Sequence, residues 1–557
     1  MTYVYAIAAA GIVLTAIKWA FLPGRRLPRH RVRNLRIRLR LRLHPVKGHA
    51  TAFELWWRWS RLAAFRHAAR TRPALSFGQR LLTPAVGYSV LAGRAHYRHG
   101  LRLPLDEHAV IFSPPRGGKT GWLARIILRY PGPVISTTTK HDVFELTAAV
   151  RAGRGPVHVF NPQRIGGVES TFRWNPLEGC EEPAVAIRRA DAFSSAVSQK
   201  GVEDSSFWAA KASDYLRAYF HAAALAGLDM RHVARWVSGV AADEAEDILV
   251  TTPGAARHLA DQLAEMRGEA NKTITTVRMT MSRALAFLAD PALAEAVLPG
   301  PGEGLDLEQF LNCSGTLYLI AETRADESPV APLFACLATE LHYTASMAGS
   351  RQAGGRLDPP LLMALDEVTQ ICPVPVPSWL ADSGGKGIQI ITVAHGEAQL
   401  RTRWGPNGAR IILDTSGTKI WLPGISDPDT LSTASTLCGT TPMKETRTYL
   451  RTGRDHHPDP YHRHPVMTAD MIRQLPARHA LIIRGGMSPV IARLAMAWND
   501  PAYRAARHAT RHLPARLTAP APQAEPVTQT RLADPWPWEH HDPPALPTGR
   551  PATWPGN

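Results

Sequence analysis

Between Ala109 and Ile483 the chain returns again and again to short, largely apolar runs. They are Ala109–Phe112, Pro133–Ser136, Val157–Phe160, Thr316–Ala321, Leu361–Leu365, Ile388–Val393, Lys419–Leu422 and Ala480–Ile483. Runs of this length without a polar face suit strands covered on both sides. Most are separated by residues at helical spacing, as in Trp122, Leu123, Ile126 and Ile127. Such alternation predicts an α/β fold with a doubly wound, mostly parallel sheet. Between about Leu177 and Leu311 the strands stop. There Trp208, Ala212, Tyr215, Tyr219 and Ala222 keep a three-to-four spacing, as do Ile274, Val277, Met281, Leu285 and Leu288, which predicts an inserted all-helical domain with these stripes as its core.

The two ends follow other patterns. Tyr3–Leu22 is apolar apart from Lys18 and a few small polar residues, and twenty helical residues span about 30 Å, the thickness of a bilayer core. Arg25–Arg42 then holds nine arginines and no acid, which orients a single-pass helix with the body of the chain in the cytoplasm. A cleaved signal peptide would carry its basic residues before the apolar run instead of after it. The strict alternation at Arg36–Leu43 would put its arginines on one face, suited to anionic lipid headgroups or to DNA phosphates. Phe53–Arg70 has the pattern of an amphipathic helix, with Trp56, Trp57, Trp59, Leu62 and Phe65 among Arg58, Arg61 and Arg66; an interfacial helix and a packed linker both produce it. Past Leu513, prolines recur and aliphatic periodicity vanishes, predicting a disordered tail.

Composition adds two constraints. The 557 residues carry a formal net charge of +17, which favours nucleic acid or an anionic membrane surface as partner, although much of it sits near the N-terminus. The five cysteines, Cys180, Cys313, Cys336, Cys372 and Cys438, form no CxxC pair, which argues against a disulfide framework and a zinc site.

The chemistry concentrates in two places. Ser113–Thr120, SPPRGGKT, joins the Ala109–Phe112 strand to a helix and nearly fits GxxxxGK[ST]. Main-chain N–H groups at a helix N-terminus, approached closely through glycine, suit polyphosphate. Arg116, Gly117, Gly118, Lys119 and Thr120 are therefore the nucleotide-binding candidates, with Lys119 reaching the β and γ phosphates and the Thr120 hydroxyl on Mg²⁺. Ser113 stands where the pattern has its first glycine, and Pro114 and Pro115 have no N–H to donate. The second place is LLMALDE, Leu361–Glu367, a buried strand ending in two carboxylates. Asp366 would hold the metal and Glu367 would orient or deprotonate an attacking water. ATP and Mg²⁺ are the implied cofactors. The chain then divides into an anchor at 1–24, a basic juxtamembrane and linker region at 25–100, the first part of a nucleotide-binding domain at 101–177, the helical insertion at 178–311, the second part at 312–510 and a proline-rich tail at 511–557.

In order and spacing these landmarks resemble the type IV coupling proteins, the TraG/TraD-type motor ATPases of conjugation and type IV secretion, over about Val110 to Asn499. Thr139-Lys140, Phe160-Asn161-Pro162, Trp174-Asn175-Pro176-Leu177 and Ser206-Phe207-Trp208 look like that family's lysine segment, its two turns and its first insertion helix. His395–Leu400 with Trp404-Gly405 is similar to its sensor segment, and Met467–Pro489 to its closing strand. His395 replaces a glutamine there, and Gly384-Gly385, with Lys386 beside them, stand where relatives carry an arginine. The resemblance implies a P-loop NTPase fold of the RecA/FtsK kind with an N-terminal transmembrane helix, and catalytic roles for Lys119, Asp366, Glu367 and His395. It also implies a homo-hexamer in the cell membrane that hydrolyses ATP and passes single-stranded DNA, with its relaxase, to the channel proteins of a type IV secretion pore. A pump for double-stranded DNA or effector proteins, and a scaffold that binds nucleotide without hydrolysis, are the alternatives.

Overall fold

The structure, a computed structural model, describes residues 48–95, 99–197, 205–268, 271–323, 328–444 and 461–512. The Tyr3–Leu22 and Arg25–Arg42 runs, the Arg36–Leu43 alternation and the tail past residue 512 lie outside the described residues. Among the described residues no helix is long and apolar enough to cross a membrane.

Among the described residues thirteen strands form: β1 Ser89–Arg94, β2 Gly100–Pro104, β3 Ala109–Phe112, β4 Val134–Thr138, β5 Val157–Phe160, β6 Thr316–Ile320, β7 Leu361–Leu365, β8 Ile388–Ala394, β9 Thr418–Trp421, β10 Thr440–Lys444, β11 Tyr461–Pro465, β12 His479–Arg484 and β13 Val490–Leu494. Eleven of them make one sheet in the order β2-β1-β13-β12-β9-β3-β8-β7-β4-β6-β5, and β10 and β11 pair separately. From β9 to β5 every neighbouring pair is parallel. Every residue of β3, β4, β6, β7 and β8 is buried, and alternate side chains enter opposite layers. Ala109 and Ile111 join the core around Trp122 and Ile127, while Val110 and Phe112 join the one around Phe160 and Phe334.

The sheet is mixed, which corrects the mostly parallel expectation along one flank. Ala480–Ile483 belongs to β12, which runs antiparallel to β9 and to β13. β1 and β2, antiparallel to each other, complete that edge. Their residues lie within or beside the stretch read as linker because Arg94 and Arg102 break the apolar signal.

The amphipathic segment beyond residue 52 is not one regular helix. Leu55–Trp59 forms a π-helical turn, and Ser60 then caps a new helix, Arg61–Thr71, by accepting from the N–H groups of Leu62 and Ala63. Leu55 and Trp59 are buried whereas Trp56 and Trp57 are exposed, so the segment both packs and presents aromatic surface. The buried side is tied down by Arg484, at the end of β12. Its Nε donates to Glu107 Oε2 at 2.7 Å and its Nη1 to the Arg58 carbonyl at 2.9 Å.

Between β5 and β6 all described regular structure is helical, including Pro183–Ala196, Ser205–Leu225 and Asn271–Ala284. Ala212, Tyr215, Tyr219, Val277 and Met281 are buried as their spacing requires. These helices share one continuous apolar core with a face of the sheet. Arg188, on Pro183–Ala196, reinforces the junction with Nε 2.7 Å from Glu340 Oε1 on the helix Ala331–Ser350.

The helix that follows the phosphate loop, Lys119–Arg129, is held at its far end by an acid beyond the last strand of the sheet. Asp500, with its side chain fully buried, receives Arg125 Nε at 2.9 Å and Arg129 Nη2 at 2.7 Å. Burial alone would raise the Asp500 pKa; the Arg129 hydrogen bonds and the Arg125 charge outweigh it and hold the carboxyl below its ordinary value. A depressed carboxylate contributes stability above its unfolded pKa and loses it as pH falls through the folded value. Asp500→Asn is therefore expected to cost about 3 kcal/mol near neutrality. The gap between variant and wild type should narrow below pH 3.8 in urea unfolding curves, and a pH-independent gap would contradict the ion-pair account.

Candidate functional site

β3 and β7 run parallel with only β8 between them, so the loop after Phe112 and the acids after Leu365 leave the sheet at the same edge. Their side chains meet there. Lys119 Nζ lies 2.9 Å from Asp366 Oδ1 and also contacts Glu367 Oε1.

The loop is shaped by what its residues lack. Ser113, where the motif has glycine, is fully buried just past the end of β3, its N–H donating to the Ala394 carbonyl at 3.0 Å. The chain turns after it, with Gly117 N–H donating to the Pro114 carbonyl at 3.0 Å. A Cβ on Gly117 would sit 2.5 Å from Ser113 Oγ, so this position needs glycine. Arg116 at φ 62° and Gly118 at φ 99° are both left-handed, and the helix begins at Lys119. An arginine in that region is a strained placement of the kind that gathers at ligand sites. The first N–H groups of the helix, at Lys119 and Thr120, have no acceptor within it and face outward from its N-terminus.

The acidic pair is fixed as firmly. Thr137 Oγ1, on the neighbouring β4, donates to the Asp366 carbonyl at 2.7 Å, and Glu367 N–H donates to Asp366 Oδ1 at 3.1 Å. Glu367 is itself left-handed at φ 50° and starts the short helix Val368–Ile371. Burial raises the Asp366 pKa above the ordinary carboxylate value, with Lys119 pulling against it and Glu367 adding to it. For Lys119, burial opposes the charge, but Asp366 and Glu367 together outweigh it and the ammonium pKa rises. The ammonium is thus the counter-ion of two carboxylates in a largely buried setting.

His395, immediately after β8, bridges the two halves. Its Nδ1 lies 2.9 Å from the Ser113 carbonyl oxygen, and its Nε2 lies 3.3 Å from Glu367 Oε1. The His395 N–H donates to Gln399 Oε1 at 2.8 Å, so the residue is held from the backbone side as well.

The model of the type IV secretory system conjugative DNA transfer family matches residues 58–521. The chain belongs to this family. Solved structures of similar fold agree with that membership. The unbound conjugative coupling protein TrwBdeltaN70 superposes with a TM-score of 0.55 at 18% identity, over 76% of this chain and 92% of that one. TrwB in complex with ADP and Mg²⁺ gives 0.53 at 17% identity over 72% and 89%, and TrwB with the ATP analogue ADPNP gives 0.51 at 18% over 71% and 88%. At these identities the likeness is one of fold. No curated protein sequence matches.

Within this conjugative DNA transfer protein, the other landmarks read from sequence have structural places. Asn161 is buried and organises its turn, its side chain bonding the main chain of Ile165 and Val168. Trp174 is buried under the Arg189 guanidinium, 5.5 Å from the ring centroid. Lys140 sits in an exposed turn closed by Thr138. Lys386 precedes β8, at the end opposite the phosphate loop, and pairs with Asp382 at 2.5 Å. It therefore takes no part in its own chain's Lys119 cluster. Thr137, which positions Asp366, carries no motif of its own; only the pairing of β4 with β7 reveals it.

Proposed function

We propose that this chain is a membrane-anchored, hexameric ATPase that feeds single-stranded DNA, with an attached relaxase, toward a type IV secretion channel. The observation that carries the reading is the Lys119 ammonium lodged between Asp366 and Glu367, 2.9 Å from the former. A phosphate-loop lysine and a paired acid at adjacent strand ends form the polar half of a magnesium triphosphate site. Family membership and the complexes of TrwB with ADP and Mg²⁺ and with ADPNP support it.

The residues fit the cofactors. Arg116–Thr120 present the cradle a triphosphate needs, and the Thr120 hydroxyl with the Asp366 carboxylate offers the hard oxygens Mg²⁺ prefers. Bound Mg²⁺ supplies charge neutralisation at the β and γ phosphates. On binding, Lys119 exchanges one anionic partner for another, leaving Glu367 for the phosphate and never going uncompensated. Glu367 is then released to take a proton from the attacking water, and His395 keeps its carboxylate oriented from the Ser113 side. With Gly384-Gly385 where relatives carry an arginine, a cation acting across the subunit boundary has to come from another position, Lys386 or a different arginine of the neighbouring subunit.

Cargo is tested by what stimulates turnover. Phosphate release by the full chain in lipid nanodiscs is expected to rise with single-stranded DNA at about 50 mM salt and to lose that stimulation by about 200 mM, as phosphate contacts require. Stimulation by duplex DNA or by protein alone would replace the cargo. No phosphate release under any of these conditions would leave a scaffold that binds nucleotide without hydrolysing it.

A further inference from the structure

Past β13 the chain folds back across the first turn of the helix Lys119–Arg129. A Cβ on Gly118 would lie 3.4 Å from Met496 Cε, and one on Gly121 would lie 2.2 Å from Trp498 Cζ3 and 2.4 Å from Cη2. The indole thus presses on the main chain directly after Lys119-Thr120, a contact only glycine permits at position 121. Met496 is almost fully buried, but Trp498 keeps 36% of its surface exposed. The Arg478 guanidinium stands over the ring at 5.7 Å from its centroid.

This tryptophan is anchored more tightly than its exposure suggests. Asn499 N–H donates to the Met496 carbonyl at 3.1 Å and Asp500 N–H to the Ala497 carbonyl at 2.8 Å, closing a turn around it. Asp500 is in turn gripped by Arg125 and Arg129 of the same helix that begins at the phosphate loop. Loop and indole are therefore tied to the same helix.

We infer that Trp498 is the nucleobase platform of this site: with the phosphates at Arg116–Thr120, the purine lies against the exposed indole beside Gly121. The inference rests on the nucleotide reading above. A partly exposed aromatic side chain held in place before the ligand arrives stacks on a base with little ordering cost. Stacking on a π-face is the means by which proteins hold a base without reading its edge. Trp498 touches the base and not the reacting atoms, so its effect falls on affinity and KM and leaves kcat almost unchanged.

The test separates base from phosphates, using MgATP and magnesium tripolyphosphate as probes of the full chain. Trp498→Ala is expected to weaken MgATP binding roughly tenfold and to leave tripolyphosphate binding unchanged, the latter showing that the phosphate loop still folds. Trp498→Phe should restore most of the affinity. In wild type, MgATP but not tripolyphosphate should quench part of the tryptophan emission, and Trp498→Phe should remove that difference, which keeps the test decisive should the alanine variant misfold. Equal loss of both ligands in Trp498→Ala, unchanged MgATP affinity, or an ATP-specific quench that survives in Trp498→Phe would each overturn the platform. Wild type binding neither probe would instead overturn the nucleotide reading itself.

Discussion

Glu367→Gln is expected to lower ATP turnover by about 10²–10⁴-fold, the usual worth of a positioned general base, while MgATP binds at least as tightly as to wild type. Glutamine keeps the shape of the side chain but cannot accept the proton of an attacking water. It also ceases to be an anion in contact with Lys119, so the ammonium is surrendered to the phosphates more readily. Loss of kcat without loss of affinity marks an interaction made in the transition state only. Phosphate release and equilibrium binding on the same preparation check this. A variant that turns over near the wild-type rate would remove Glu367 from the chemistry, and one that loses binding in parallel would make it a structural partner of the loop.

Lys119→Ala is the second large effect, and it acts on two properties. Turnover is expected to fall by about 10³-fold, as when a preorganised charge is removed from a transferring phosphoryl group, and MgATP affinity falls with it. Without nucleotide the variant also leaves Asp366 and Glu367 side by side and largely buried, with no ammonium between them. Burial already raises the Asp366 pKa, and Lys119 is the chief group opposing that shift, alongside the Glu367 N–H, so its removal moves the pKa further up. A carboxyl with a raised folded pKa binds its proton more tightly in the native state, so stability declines as pH climbs from the ordinary carboxylate value toward the folded one. The variant should therefore lose more stability relative to wild type at pH 7 than at pH 5. Thermal unfolding at the two pH values checks the sign, and a larger deficit at pH 5 would contradict it.

The parts legible in the sequence are those where one constraint dominates. Strands such as Leu361–Leu365 and Ile388–Ala394 are covered on both faces, so their residues are apolar without interruption and their limits can be read closely. The lysine-threonine turn and the paired acids announce a chemistry that needs those side chains at a strand end. The flank of the sheet was hidden for the opposite reason. β1 and β2 carry Arg94 and Arg102, and the direction of β12 depends on its pairing with β9 and β13, which no local pattern encodes. Trp498 and Asp500 follow the last strand with no spacing signal. Their meaning comes only from the return of the chain over Gly121 and from the guanidinium groups of Arg125 and Arg129 that await it. The helical stripes mark core at Ala212, Tyr215, Tyr219, Ala222, Val277, Met281 and Leu285, with Trp208, Ile274 and Leu288 only partly buried, but periodicity cannot show that this core is continuous with the sheet's own.

The central claim is that the Ser113–Thr120 turn and the Asp366-Glu367 strand end serve one magnesium triphosphate. A cryo-EM reconstruction of the full chain with Mg²⁺ and ADPNP measures this most directly. The account predicts Lys119 Nζ withdrawn from Glu367 onto the terminal phosphate, with the metal between the Thr120 hydroxyl and the Asp366 carboxylate. Nucleotide bound elsewhere, or seated in the loop with Lys119 still closed on both carboxylates, would contradict it.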